Sequence, residues 1–353
     1  MITYTYIIIL FMSMLFFDKY QSLLNKKSYF PSVGNIGFFI LIFSLFLFTA
    51  IRHMVGWDYI HYYEVVLYNI DNNIVMRNEA LTIAAVEVSR YFKSPLMYFT
   101  INAFILYFFL YCFIKRFSVD RWLSILLFIT FPLFFLNSLS VVRIFTAIAI
   151  VLFAYNFLIK RKFLHYIVIV IIASMFHKSA LFALTFILFS SLKISGLVWF
   201  VGLAISPLLA KYIIPFASNY ILSAYLVYLE PTDITEGTKA IYFFVFLAFL
   251  MILFKKRIIR ENYSYLVMYN IYMFGTCFYL TFIDFGTIGH RLSLYSTILS
   301  IILLPATLSI IKGSKVKMLI KLSFYILMMV MYFYTLNISR EAFIPYMTIF
   351  DIY

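Results

Sequence analysis

Apolar runs of roughly bilayer-crossing length recur along the whole chain, and nearly all of its charge is gathered into the breaks between them. A helix crosses the hydrocarbon core in about 20 predominantly apolar residues, because in lipid every backbone group must be bonded internally. The runs at 3–17, 35–51, 96–114, 122–137, 144–159, 163–176, 179–192, 196–212, 240–254, 264–283, 292–311 and 319–336 are read as twelve such helices. The pair 163–176 and 179–192 is short and tightly joined, so a re-entrant hairpin is the alternative there. Hydrophobic residues make up 65% of the 353 and charged residues 12%, against roughly 45–50% and about 25% in soluble domains. The expected fold class is an all-α polytopic integral membrane protein, a single transmembrane domain over 1–353 with no soluble domain of normal size.

The net charge of +14 would suggest nucleic acid in a soluble chain, but in a membrane protein its distribution over the loops is what matters. Alternating the loops places 18 Lys and Arg on one side, including Lys19, Lys115, Arg116, Arg161, Lys255, Arg257 and Lys315, against three acids, Asp18, Asp120 and Glu261. That side carries +15, while the other holds 10 cations and 11 acids, or −1. The positive-inside rule makes the first side cytoplasmic and turns both ends of the chain outward. No nucleic-acid partner is expected; membrane lipids are. The first run starts at Ile2 with neither a basic n-region nor a small-residue cleavage site, so it is expected to stay as a helix. Cys112 and Cys277 each sit inside an apolar run without metal-type spacing and are read as packing residues; no metal or cofactor is expected.

Long connections fall on the outward side, at 52–95 and 213–239. Within the first, Asn78–Phe92 puts Leu81, Ala84, Ala85, Val88 and Phe92 on one helical face, too short and charged to span, so it is expected in the outer interface. The second has an amphipathic first half and an acidic, turn-rich half from Glu230 to Glu236. Cytoplasmic loops are short and basic, so any chemistry belongs to the outer face. No internal repeat of the kind seen in transporters is visible.

Four outward clusters carry polar side chains. "IRHMVGWDYIHYYEVV" holds Arg52, Asp58 and Glu64 among Trp57, Tyr59, Tyr62 and Tyr63. "SLSVVRIF" places Arg143 at a helix start, "SMFHKSAL" places His177 and Lys178 at a turn, and "DFGTIGHRLSLY" carries Asp284, His290 and Arg291. Singly, each cation reads as a helix-end side chain reaching the headgroups. Together, Arg52, Arg143, Lys178 and Arg291 lie on a face with no positive-inside pressure to retain them, and suit a phosphate ligand that Arg forks chelate. No Asp-x-Asp pair is present to hold a metal in their place.

"RHMVGWDYIHYY" resembles the Arg, Gly-x-Asp-Tyr and Tyr signature of EpsG-like polysaccharide polymerases, a branch of the Wzy O-antigen polymerases. "NEALTIAAVEVSRYF" is similar to the segment that follows it in that family. The stretch from "VVRIF" through "ASMFHKSAL" resembles the family's Arg-initiated helix and His-Lys-Ser run, and "HRLSLY" its late Arg-containing helix start. The resemblance covers roughly 45–300; Ile144 stands where the family often has Gln. It implies a GT-C-like glycosyltransferase at the outer face of the bacterial cytoplasmic membrane. Such an enzyme moves a growing glycan from undecaprenyl pyrophosphate onto an undecaprenyl-pyrophosphate-linked oligosaccharide, with a chain-length regulating co-polymerase as partner.

On that reading Arg52, Arg143, Lys178 and Arg291 take the leaving pyrophosphate, where negative charge accumulates, with His177 as a hydrogen-bond donor beside them. Asp58 is the expected base for the acceptor hydroxyl, with Glu64 and Glu79 as alternatives. Trp57, Tyr59, Tyr62, Tyr63 and Glu79 are expected to contact sugar. Competing readings are an O-antigen ligase, which would show a larger late outward loop, and a lipid-linked oligosaccharide flippase, which would carry charge at mid-span.

Overall fold

The computed structural model describes residues 1–24, 33–67, 79–218, 239–285 and 287–352. Helix dominates, and each of the twelve apolar runs coincides largely with α- or 3₁₀-helix. Among the described residues, Pro95–Phe117, Val142–Ile159, Gly196–Ile213 and Ser314–Ile338 are long and apolar enough to cross a bilayer; Gly289–Thr297 with Ser300–Ser309 makes a fifth if taken as one bent span. The acidic half of the 213–239 loop lies outside the described residues. The chain divides into two compact units, one of residues 1–153, 172–178 and 322–353, the other of 154–171 and 179–321.

In the first unit, α2 (Val33–Ala50) packs against both α1 (Ile2–Leu24) and α5 (Pro95–Phe117). Pro95 opens α5, where a missing N–H costs nothing. Asp120 starts α6 (Arg121–Thr130) by accepting the Leu123 N–H at 3.1 Å. The run expected as one span over 122–137 is broken in two. Phe131 is extended (φ −74°, ψ 129°), the conformation that a following proline imposes, and helix resumes only at α7 (Phe135–Ser140). Short helices α3 (Tyr59–Leu67) and α4 (Ala80–Tyr91) follow α2 and pack on α5 and on each other.

Of the apolar face read from the sequence, α4 buries only Ala85 fully. Thr82, Ala85, Val86 and Ser89 pack inward, the two hydroxyls donating to the Phe176 and Ala85 carbonyls at 2.7 Å. Ala84, Val88 and Phe92, about one turn apart, are exposed and leave an apolar stripe turned away from the protein. A helix with one face on protein and an apolar stripe outside suits a membrane interface.

Beyond α16 (Ser314–Ile338) the chain returns to the stretch that follows α2. A single turn, α17 (Arg340–Phe343), leads to β2 (Met347–Thr348), which pairs antiparallel with β1 (Arg52–His53) in the register Arg52↔Thr348 and His53↔Met347. Tyr346 stacks on Phe48 with ring centres 4.0 Å apart, and its hydroxyl donates to the Phe48 carbonyl.

The second unit is organised on α13 (Ser264–Thr281), which packs against α11 (Gly196–Ser218), α12 (Ala240–Glu261) and α14 (Thr287–Thr297). A Cβ on Gly275 would lie 1.6 Å from Ser296 Oγ, so only glycine allows α13 and α14 to approach this closely. Buried Asn270 accepts from Trp199 Nε1 at 3.3 Å and donates to the carbonyls of Phe189 and Leu192 at 3.2 and 2.7 Å. The run 179–192 begins as 3₁₀-helix over Lys178–Thr185 before α10 (Phe186–Ser190). The run 292–311 is bent by 46° between α14 and α15 (Ser300–Ser309). Hydroxyls of Ser296 and Thr297 bond back to the Ser293 carbonyl just before that bend, a pattern that distorts helices.

Candidate functional site

The stretch after α2 is held by its backbone. Gly56 adopts φ +104° and donates its N–H to the Ala342 carbonyl at 2.8 Å, while a Cβ there would meet the Leu139 carbonyl oxygen at 2.2 Å. Trp57 N–H donates to Ser140 Oγ at 3.1 Å, and Tyr59 N–H to the Gly56 carbonyl at 3.1 Å, closing the turn that delivers Asp58 to the start of α3. Gly56→Ala is expected to cost about 1–3 kcal/mol through the left-handed φ alone, and more through the clash. Thermal unfolding in detergent and the product yield of the purified protein should both fall; unchanged melting would contradict this account of the turn.

Arg52 does not face outward as a phosphate ligand would. It is fully buried, and its guanidinium donates to the carbonyls of Thr49, Val55 and Leu139, the last two at 3.3 and 3.2 Å, while lying 4.7 Å from the Phe99 ring centre. Its donors tie α2, the turn and α7 together through these carbonyls, where a pyrophosphate contact was expected. Tyr59 and Tyr62 are likewise buried. Tyr59 stacks on Phe99 at 4.4 Å and Tyr62 on Tyr98 at 5.4 Å, so neither ring face is open to a sugar. Burial pushes the Tyr59 hydroxyl up to about 12, so it stays protonated beside His53 Nδ1, 3.3 Å away; burial also lowers the His53 imidazole.

Arg143, in the first turn of α8 (Val142–Ile159), joins a polar group of Glu79, Tyr62 and the Lys178 backbone. Its Nη1 donates to Glu79 Oε2 at 2.6 Å and its Nε to Tyr62 Oη at 3.4 Å. The other Glu79 oxygen accepts the Lys178 backbone N–H at 3.3 Å. Burial raises the Glu79 carboxyl, opposed by the Arg143 charge and the Lys178 N–H. Glu79 thus has both oxygens bonded within the protein, one to Arg143 and one to the Lys178 N–H, where a sugar contact or a basic role was expected. Arg143 Nη2 has no acceptor among the described residues. Lys178 extends an exposed side chain from the same turn, and His177 beside it is half-buried, its N–H donated to the Ala173 carbonyl at 3.2 Å.

Asp58 and Glu64 are both half-buried, and neither carboxylate makes a hydrogen bond or ion pair to another described residue. Glu64 lies off the face of α3 that Tyr59, Tyr62, Val65 and Val66 bury. Trp57 is 55% exposed and Tyr63 half-buried, so these two aromatics, unlike Tyr59 and Tyr62, present ring surface. Ile144, in the place of the expected glutamine, is buried in the apolar core.

In the second unit Arg291 lies on α14 with its Nε buried and without a hydrogen-bond partner among the described residues. Asp284 is exposed and His290 buried. A buried guanidinium nitrogen lacking an acceptor is costly unless an anion supplies one.

The sequence did not point to Ser140, Ala342, Tyr346 and Thr348 as the frame around Gly56. These contacts join segments far apart in the chain, which leave no local periodicity to read. One protein-family model, described as the EpsG family, matches residues 35–348. No curated protein and no solved structure matches the chain.

Proposed function

Because the chain belongs to the EpsG family, we propose that it polymerises lipid-linked saccharide repeat units at the outer face of the bacterial cytoplasmic membrane. Membership makes it a membrane protein of the polysaccharide-polymerase type and favours neither the ligase nor the flippase reading. The acceptor hydroxyl of one undecaprenyl-pyrophosphate-linked repeat unit attacks the anomeric carbon of a growing glycan carried on a second undecaprenyl pyrophosphate. Asp58 takes the hydroxyl proton, the new glycosidic bond forms, and the bond to the pyrophosphate breaks with its electron pair leaving on the phosphate. Arg143 and Lys178 receive that charge, with His177 donating a hydrogen bond beside them. Arg291 is assigned the same class of ligand on its own buried, unpartnered nitrogen. Trp57 and Tyr63 provide sugar-stacking surface. A chain-length regulating co-polymerase is the proposed partner, and the fold is proposed to be GT-C-like with twelve crossings.

One observation carries the reading: a single compact unit holds a carboxylate, Asp58, and a guanidinium, Arg143, the first unpaired and the second oriented by Glu79 and Tyr62 and without an acceptor at Nη2 among the described residues. The test is reconstitution of the purified protein with undecaprenyl-pyrophosphate-linked repeat units. A ladder of lengthening lipid-linked products is expected. Translocation of the repeat unit with no new bond would instead identify a flippase and end the polymerase reading.

Two further outcomes follow from the assignment. With Arg and Lys carrying the leaving-group charge, turnover should be unchanged in EDTA; loss of turnover that a divalent cation restores would overturn the metal-free assignment. The charge balance of the loops predicts that an impermeant thiol reagent, applied to intact cells, labels cysteines placed in 52–67. Cysteines in 115–121, 160–162, 255–260 and 312–318 should be protected. The reverse pattern would invert the proposed orientation.

A further inference from the structure

We infer that Glu79 is a positioning residue for anion binding: it clasps one edge of the Arg143 guanidinium and thereby aims the other edge at the phosphate of the lipid-linked substrate. This deepens the polymerase reading and rests on it. The placement of Glu79 is set by backbone. Leu81 and Thr82 N–H groups donate to the Met175 carbonyl at 3.0 and 3.3 Å, and Thr82 Oγ1 to the Phe176 carbonyl at 2.7 Å, which fixes the start of α4 on the turn that carries His177 and Lys178. Glu79 therefore arrives at Arg143 from a fixed point, and its second oxygen is tied to the Lys178 N–H.

The charges explain why a carboxylate stands here. Arg143 lies in the first turn of α8, where the helix dipole disfavours a cation, and a neighbouring carboxylate offsets that cost. The Lys178 N–H opens a 3₁₀-helix and would otherwise lack an acceptor. With side chains only 14% and 8% exposed, the Arg143–Glu79 pair is shielded from water, so its 2.6 Å bond holds the planar guanidinium in one orientation. Nε is committed to Tyr62 Oη and Nη1 to Glu79, which leaves Nη2 as the nitrogen without an acceptor among the described residues. Both Glu79 oxygens are held by donors that stabilise the carboxylate in place, which suits a fixed orienting group.

Binding of undecaprenyl pyrophosphate to protein in nanodiscs tests the inference. Arg143→Ala and Glu79→Ala should each weaken binding about 10- to 100-fold, the loss of one charge-assisted contact. The double variant should bind no more weakly than the weaker single one, because the two residues act as a unit. Glu79→Gln keeps an acceptor for Nη1 although it removes the counter-charge, so its loss should be smaller and should vanish on the Arg143→Ala background. Independent, multiplicative losses would overturn the inference. So would unchanged binding with slowed turnover in Glu79→Ala, the signature of a base, or tighter binding, the signature of a competing anion. If Arg143→Ala itself leaves binding unchanged, the phosphate reading of the site fails as well.

Discussion

Arg143→Ala lowers polymerisation by about a hundredfold or more, the usual effect of removing one preorganised contact to a leaving group. Single lipid-linked repeat units accumulate in the cell while long glycan disappears. The ion pair with Glu79 adds a second consequence. Removing the arginine leaves a buried carboxylate without its partner, a change that destabilises by about 3–5 kcal/mol when such a pair is broken. The alanine variant must therefore be compared at equal amounts of folded protein, and Arg143→Lys separates the two effects. Lysine keeps a cation against Glu79 but loses the planar fork, so it should melt close to wild type yet polymerise at least about tenfold more slowly. Wild-type chain length from Arg143→Lys would show that the planar guanidinium is unnecessary. Wild-type chain length from folded Arg143→Ala would remove the residue from the site.

Asp58→Asn gives a cleaner loss. The Asp58 carboxylate bonds to no other described residue, so exchanging it for an isosteric amide leaves the melting temperature where it was. If Asp58 takes the proton from the acceptor hydroxyl, turnover falls about 10²–10⁴-fold while binding of undecaprenyl pyrophosphate is unchanged. The opposite combination, normal turnover with a lowered melting temperature, would make Asp58 a tie for the loop. Loss on Glu64→Gln but not on Asp58→Asn would keep the reaction and move the base by six positions, into α3.

The helices were legible because lipid leaves the backbone no alternative, and because apolar runs and basic turns are local signals. Even the break in the 122–137 run had a local sign, Pro132, which keeps Phe131 out of the helical region. Residue types that suit phosphate were also legible at Arg52 and Arg143, but their partners were not. Arg52 and Arg143 look alike in sequence, each at the end of an apolar run; one is enclosed by three carbonyls and the other is clasped by a carboxylate 64 residues away. Tyr59 and Tyr62 could not be told from Tyr63 and Trp57 without Tyr98 and Phe99, which α5 brings against them. On α4 the apolar stripe was read correctly as a stripe, but its direction depends on whether lipid or protein lies opposite.

The pairing of β1 with β2 sets an order of events during biosynthesis. Residues 52 and 53 leave the ribosome early, yet their strand partners at 347 and 348, and the Ala342 carbonyl that receives the Gly56 N–H, are made only after most of the helices. Until then the turn bearing Asp58 lacks part of its frame, and contacts of such wide sequence separation form slowly. The turn that carries Asp58 is thus framed in full only once the last segment of the chain is in place.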